Sequence, residues 1–193
     1  MKIRLIAING PWGSGKTWLS NQIIGPDGDP FFRGTPRKAV NSSDCLRKAA
    51  IALVGAPDSM PPEVFKSSMF LGLSGRNWMI DLSEKFAKNY DQDFFSRVAY
   101  ERMLSEAAIR TSHQIIFTND SVSFDNEMMY FRARSDIDMI GVSIEPPGSA
   151  PRGERWQEND SRYNLAHRCE VVAQDSSTAH KKTIEAMQRR GWI

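Results

Sequence analysis

Cysteine is scarce in this chain: Cys45 and Cys169 are the only two among 193 residues, and their spacing is not that of metal ligands. Reduced thiols are the simplest reading. The histidines His113, His167 and His180 form no metal-like pattern either, and no role is assigned to them. No apolar stretch is long enough to cross a bilayer. The first strand is expected within a few residues of Met1, which leaves no room for a signal peptide. An excess of one charge is missing as well. The net charge is +2, and the basic residues are spread along the chain. That gives no argument for stable nucleic-acid binding. There is no internal repeat and no low-complexity linker. The composition is that of a soluble globular protein, 40% hydrophobic and 25% charged, with a length that suits one domain.

What is present stands out against that background. Gly10-Pro11-Trp12-Gly13-Ser14-Gly15-Lys16-Thr17 is a complete G-x-x-x-x-G-K-[ST] phosphate-binding loop. The apolar run Ile3 to Ile8 precedes it, and a stretch able to form a helix, Trp18 to Ile24, follows. Strand, glycine turn and helix together place backbone N–H groups around a phosphate at the positive end of a helix dipole. Lys16 then reaches the β- and γ-phosphates, and the Thr17 hydroxyl is the expected ligand of Mg²⁺. ATP and Mg²⁺ are the cofactors implied. Gly10, Gly13, Ser14, Gly15, Lys16 and Thr17 are the nucleotide-binding candidates, with Trp12 placed to lie over the site or to pack nearby.

The remaining elements alternate. Gly25 to Arg37 reads as a loop and Lys38 to Asn41 as a short strand. Ser42, Ser43 and Asp44 are N-cap candidates for a helix from about Cys45 to Val54. Gly55 to Pro62 is a second loop. Arg76 to Asn89 carries Trp78, Met79, Leu82 and Phe86 on one face, and Asp93 to Ile109 carries Phe94, Phe95, Val98, Leu104 and Ala108. Strands follow at His113 to Thr118, Met139 to Ile144 and Glu170 to Ala173. Helices are expected at Asp125 to Arg134 and Thr178 to Arg190. The fold class is therefore α/β, a P-loop NTPase fold with a mainly parallel sheet of about five strands and helices on both faces. Residues 1–193 are read as a single domain, with a helical acceptor-binding insertion at about 42–110 and a lid segment at about 146–164.

Ligands in such sheets bind beyond the carboxyl ends of the strands. The phosphate loop, Asp44, Asp120, Glu145 and Asp175 all follow strands. Phosphoryl transfer needs positioning and charge neutralisation. Arg47 and Arg76 suit an acceptor that is itself a phosphate, because arginine makes bidentate contact with phosphate oxygens; a solvated surface arginine is the alternative for each. Asp44 and Asp120 are the carboxylates best placed to bind Mg²⁺ through water or to orient the acceptor, Asp44 having a helix cap as its alternative role. Glu127 either binds the acceptor or holds the local loop by hydrogen bonding. Arg152 and Arg155 lie in the polar segment after Pro146-Pro147-Gly148, which either closes over the nucleotide or is a solvated loop. Phe65, Phe70, Phe94 and Tyr100 either stack on a base or belong to the core.

The pattern resembles the deoxynucleoside monophosphate kinases of bacteriophage type, within the P-loop nucleoside monophosphate kinases. Ser43-Asp44-Cys45-Leu46-Arg47 resembles that family's Ala-Asp-x-Leu-Lys segment, with Arg47 at the lysine position. Ser74-Gly75-Arg76-Asn77-Trp78-Met79 resembles its Gly-Arg segment opening a helix, and Asp93-Phe94-Phe95 the acidic-aromatic start of the next. Asn119-Asp120 through Asn126-Glu127 resembles the segment after its third strand. Gln174-Asp175-Ser176-Ser177 looks like the polar turn that lies near adenine. The resemblance implies γ-phosphate transfer from ATP to a deoxynucleoside 5′-monophosphate, with Arg47 and Arg76 on the acceptor phosphate and Asp175 and Ser176 near the base. It also implies a cytoplasmic protein, in the host's cytoplasm if phage-encoded. Two family positions differ. Ser121-Val122-Ser123 stands where an arginine is expected, and Glu145-Pro146-Pro147 where a basic residue is expected.

Three other functions fit the loop: a P-loop kinase with another small-molecule acceptor, a nucleotide-binding regulatory ATPase, and a degenerate kinase that binds ATP and serves as a protein-interaction module, against which the intact Lys16 and Thr17 argue. The guanine-specificity motif Asn-Lys-x-Asp is absent, which argues against a GTPase switch. The expected partner is a small-molecule nucleotide. No membrane contact is expected, and a homodimer remains open.

Overall fold

The computed structural model describes residues 2–11, 13–25, 35–89, 91–109, 115–123, 125–147 and 165–193. They fall into two compact units, one of residues 1–41 with 99–193 and one of residues 42–98.

The first unit is built on a five-stranded sheet in the order β2-β5-β1-β6-β7. The strands are β1 (Ile3–Asn9), β2 (Arg37–Ala39), β5 (Ile116–Asn119), β6 (Ile137–Ile144) and β7 (Val171–Ala173). Every pairing among them is parallel. β1 lies at the centre, and its continuous apolar sequence reflects burial on both faces. Its side chains alternate between two cores. Ile6 and Ile8 join Leu19, Ile23, Ala179, Ile184 and Met187, from helices α1 (Lys16–Ile24) and α7 (Ser176–Arg189), on one side of the sheet. Ile3, Leu5 and Ala7 join Ala99, Met103, Met128 and Phe131, from α5 (Phe94–Ile109) and α6 (Asp125–Arg132), on the other. Parallel strands with helices on both faces make this an α/β fold of the P-loop kind, as expected from the alternation.

The elements read from sequence recur with small shifts. β2 begins one residue earlier than expected, and Arg37 donates to the carbonyls of Ile23 and Gly25 at the end of α1. β5 covers the end of the expected third strand, whose first residues fall outside the described ones. The stripe of α5 that reaches the core is Ala99, Met103 and Ala107, whereas Ala108, expected on that face, is exposed. Helical spacing settles this: 99, 103 and 107 are four residues apart and share a face, and 108 is rotated about 100° away.

The second unit contains α2 (Ser43–Val54), α3 (Pro62–Ser67), the two-stranded hairpin β3 (Met69–Phe70) with β4 (Leu73–Ser74), and α4 (Gly75–Asn89). The helix α3 and the hairpin were not read from sequence. Pro62 opens α3, where its missing N–H costs nothing. The hairpin turns through Leu71 and Gly72, both at positive φ (50° and 83°), which is the conformation of a tight two-residue turn. Trp78, Met79 and Leu82 pack on Ala50, Ile51 and Phe65, so the apolar face of α4 is core as expected. Phe86 stacks on Phe94, with ring centroids 5.2 Å apart.

Candidate functional site

Three glycines shape the loop between β1 and α1. Gly10, Gly13 and Gly15 have φ of 149°, 78° and 89°, a region side chains rarely adopt. Two of them also lack room. A Cβ on Gly10 would come within 2.6 Å of the Ile144 carbonyl oxygen, and one on Gly15 within 2.7 Å of Ser176 Cβ. Around Gly13 there is open space within 4 Å. Gly15 is the N-cap of α1, and the first helical bond runs from Leu19 N–H to Gly15 C=O at 2.9 Å. The N–H groups ahead of Leu19 therefore face out of the helix end, as an anion site requires.

Lys16 Nζ lies over this loop, donating to the carbonyls of Gly10 (2.7 Å) and Pro11 (2.8 Å). The Thr17 hydroxyl donates to Asp120 Oδ2 at 2.8 Å. Asp120 directly follows β5, the neighbour of β1, so parallel pairing brings a residue 103 positions away to the loop. One turn deeper, Ser20 and Thr118 share a buried hydroxyl hydrogen bond of 2.7 Å that ties α1 to β5.

The turn after β5 is held by its own side chains. Asn119 Oδ1 accepts from Ser121 N–H and Oγ–H, and Asn41 Oδ1 accepts from Asp120 N–H at 3.4 Å. Glu127, buried at the start of α6, accepts from Ser123 N–H at 2.7 Å. Of the two roles read for Glu127, the loop-holding one is visible. Val122 is buried, and its carbonyl accepts from Asn9 Nδ2. No cation stands in Ser121-Val122-Ser123, the stretch where the resembled family has arginine.

Asp175 caps α7, accepting from Thr178 N–H (2.7 Å) and Thr178 Oγ1–H (2.8 Å). These bonds, the backbone one foremost, hold its carboxyl below the ordinary range. Next to it, Ser176 abuts Gly15, so the start of α7 forms a wall of the phosphate loop. Asp175 and Ser176 are thus beside the loop, with Asp175 engaged as a cap.

Asp44, Arg47 and Arg76 belong to the second unit. Ser42, not Asp44, occupies the N-cap of α2; Asp44 is in its first turn, one turn before Arg47, and their charged groups are 3.9 Å apart. A Cβ on Gly75 would come within 2.2 Å of the Phe65 carbonyl oxygen, so only glycine lets α4 start there. Ser74 Oγ accepts from Asn77 N–H, fixing the first turn in which Arg76 sits. Phe65 and Tyr100 are core residues, which removes them as base platforms; Phe70 stacks on Phe65, and Tyr100 donates to Asp136 at 2.6 Å. Trp12, Arg152 and Arg155 lie outside the described residues.

Two oxygens test whether the loop suits a phosphate. Asn9 Oδ1 and Ser14 Oγ are buried here with no protein partner, although buried polar atoms are nearly always paired. With the glycine cradle and Lys16, the Ser14 hydroxyl is free to donate to a phosphate oxygen, whereas Asn9 Oδ1, an acceptor, suits a water beside it. Among the described residues no group of three or more His, Cys, Asp and Glu side chains is placed to hold a metal ion. Thr17 and Asp120 are the pair that fits Mg²⁺, a cation that usually takes few protein ligands and completes its shell with water and phosphate.

No protein-family model matches the chain. No curated protein matches it in sequence. Among solved structures it is similar to the shikimate kinase of Aquifex aeolicus VF5, with a TM-score of 0.41 and 10% identity over 97% of this chain and 98% of that one. It is also similar to the shikimate kinase of Bacteroides thetaiotaomicron, with a TM-score of 0.39 and 13% identity over 97% and 95%. The fold assignment rests on this chain's own strand order and loop geometry.

Asn9 and Asn41 were not singled out from the sequence. Asn9 carried a signal: it is a polar residue ending an apolar run directly before the loop. Asn41 had none, because its partner is 79 positions away.

Proposed function

We propose that the protein transfers the γ-phosphate of ATP to a (deoxy)nucleoside 5′-monophosphate, giving the diphosphate. The observation that carries this reading is the Thr17–Asp120 contact of 2.8 Å beside a complete phosphate loop. A hydroxyl and a carboxylate joined at that position suit a Mg-nucleotide site used for phosphoryl transfer. When bound there, Mg²⁺ would neutralise charge on the β- and γ-phosphate oxygens.

In this reading an oxygen of the acceptor phosphate attacks the γ-phosphorus, and the bond from that phosphorus to the β-bridging oxygen breaks, releasing ADP. Lys16 neutralises charge on the transferred group, and its two carbonyl tethers fix where its ammonium sits. The loop N–H groups hold the phosphates in place without reorganising. Asp120 orients the Thr17 hydroxyl. Arg47 and Arg76 bind the acceptor phosphate, Asp44 orients it, and Arg152 and Arg155 offset charge during transfer.

The Ser121-Val122-Ser123 turn favours a second reading, a P-loop kinase with a different small acceptor, because that turn offers an acceptor no cation. A regulatory ATPase would show no acceptor dependence at all. ADP release from Mg-ATP, measured against a panel of ribo- and deoxynucleoside monophosphates, separates the first reading from the other two. Saturable release with formation of the diphosphate supports the first.

A further inference from the structure

We infer that Trp18 is the surface on which the base of the bound nucleotide stacks. This rests on the nucleotide-binding reading of the loop. Trp18 directly follows Thr17 in the first turn of α1, yet 44% of it is exposed. An indole offers a large flat apolar surface, and here that surface lies partly open directly beside the phosphate loop. The neighbours of α1 give a direction. Thr17 faces Asp120, at the end of β5. Trp18, rotated about 100° around the helix, meets His180 of α7 edge-on, with ring centroids 6.2 Å apart and planes at 80°. In the sheet order β2-β5-β1-β6-β7, β5 lies on one side of β1, and β7, which leads into α7, lies on the other. A triphosphate whose charged end sits at Lys16, Thr17 and Asp120 therefore extends toward α7. Ser176 against Gly15 closes the space between α7 and the loop, so the base emerges over Trp18. The T-shaped contact with His180 steadies the indole, and 44% of Trp18 stays accessible to a base.

Stacking on an aromatic face is tolerant of base identity, and its loss costs about tenfold or more in affinity. The test is calorimetric titration of the full chain with Mg-ATP and with Mg-tripolyphosphate, which carries the phosphates without a base. Trp18→Ala is expected to weaken ATP binding about tenfold or more and to leave tripolyphosphate binding unchanged. Trp18→Phe is expected to keep most of the ATP affinity, while losing the part of the fluorescence quench that ATP causes and tripolyphosphate does not. Unchanged ATP affinity in Trp18→Ala overturns the inference, as does an equal loss for both ligands. If the wild-type chain binds tripolyphosphate as tightly as ATP, the base site fails and the phosphate loop stands. If it binds neither, the nucleotide reading fails and this inference with it.

Discussion

Thr17 and Asp120 are joined directly, hydroxyl to carboxylate. Removing either leaves a lone hydroxyl or a lone carboxylate where a cation-binding pair stood. Asp120→Asn is therefore expected to lower kcat by at least about a hundredfold, a size typical of losing one preorganised electrostatic group, with a smaller change in ATP affinity. Lys16→Ala should lose transfer to a similar degree while the melting temperature stays close to wild type, because this lysine contributes little packing. Steady-state kinetics with a thermal melt of each variant checks both; unchanged kcat in either removes that residue from the chemistry. Cys169 gives an independent check on the core. Burial pushes its thiol up to about 12, against a smaller opposing pull from Arg132. Half-buried and mostly protonated, it should alkylate slowly at pH 8 in the native protein and faster on unfolding. Native labelling of Cys169 as fast as in the unfolded chain would contradict the raised thiol pKa.

At the scale of elements, the caps and glycines decide what can form. Asp175 is depressed by its bonds to Thr178, so its capping contribution is present above the ordinary carboxylate range and is lost as pH falls through the lowered value. The start of α7 should fray in acid before its middle does, which hydrogen exchange at the Thr178 amide would report. A protected Thr178 amide below that range would contradict the cap. Gly15→Ala meets both positive φ and Ser176, whereas Gly13→Ala meets positive φ alone. The first should weaken nucleotide binding more than the second, and equal losses would contradict the contact with α7. Much of this was legible beforehand. Strand β1, the loop and α1 carry local signals: an apolar run, the G-x-x-x-x-G-K-[ST] spacing and a helix-compatible stretch. The α3–hairpin segment was not, since Phe65 and Phe70 are recognisable as core only once they stack on each other, and Leu71 is an unusual residue at positive φ. The tie between Thr17 and Asp120 could be anticipated from strand order, because both follow neighbouring parallel strands. The role of Glu127 could not be chosen, since acceptor binding and loop holding require the same residue type.

For the molecule as a whole, the sheet puts the phosphate loop at the centre of a parallel array, where ligands of such folds collect. Among the described residues no helix is long and apolar enough to cross a membrane. The residues proposed for the acceptor, Asp44, Arg47 and Arg76, are in the unit of residues 42–98, and that unit has its own core around Phe65. Gly75→Ala would push a methyl group into the Phe65 carbonyl and should destabilise that unit by about 1–3 kcal/mol, the usual cost of overpacking. The most direct measurement is the turnover assay itself: ADP release and product analysis with Mg-ATP and each nucleoside monophosphate, for wild type and Arg76→Ala. Phosphoryl transfer to a monophosphate predicts saturable, acceptor-dependent release with diphosphate formed, and a raised acceptor KM with lower kcat in Arg76→Ala. ATP binding without any acceptor dependence across the panel would contradict it.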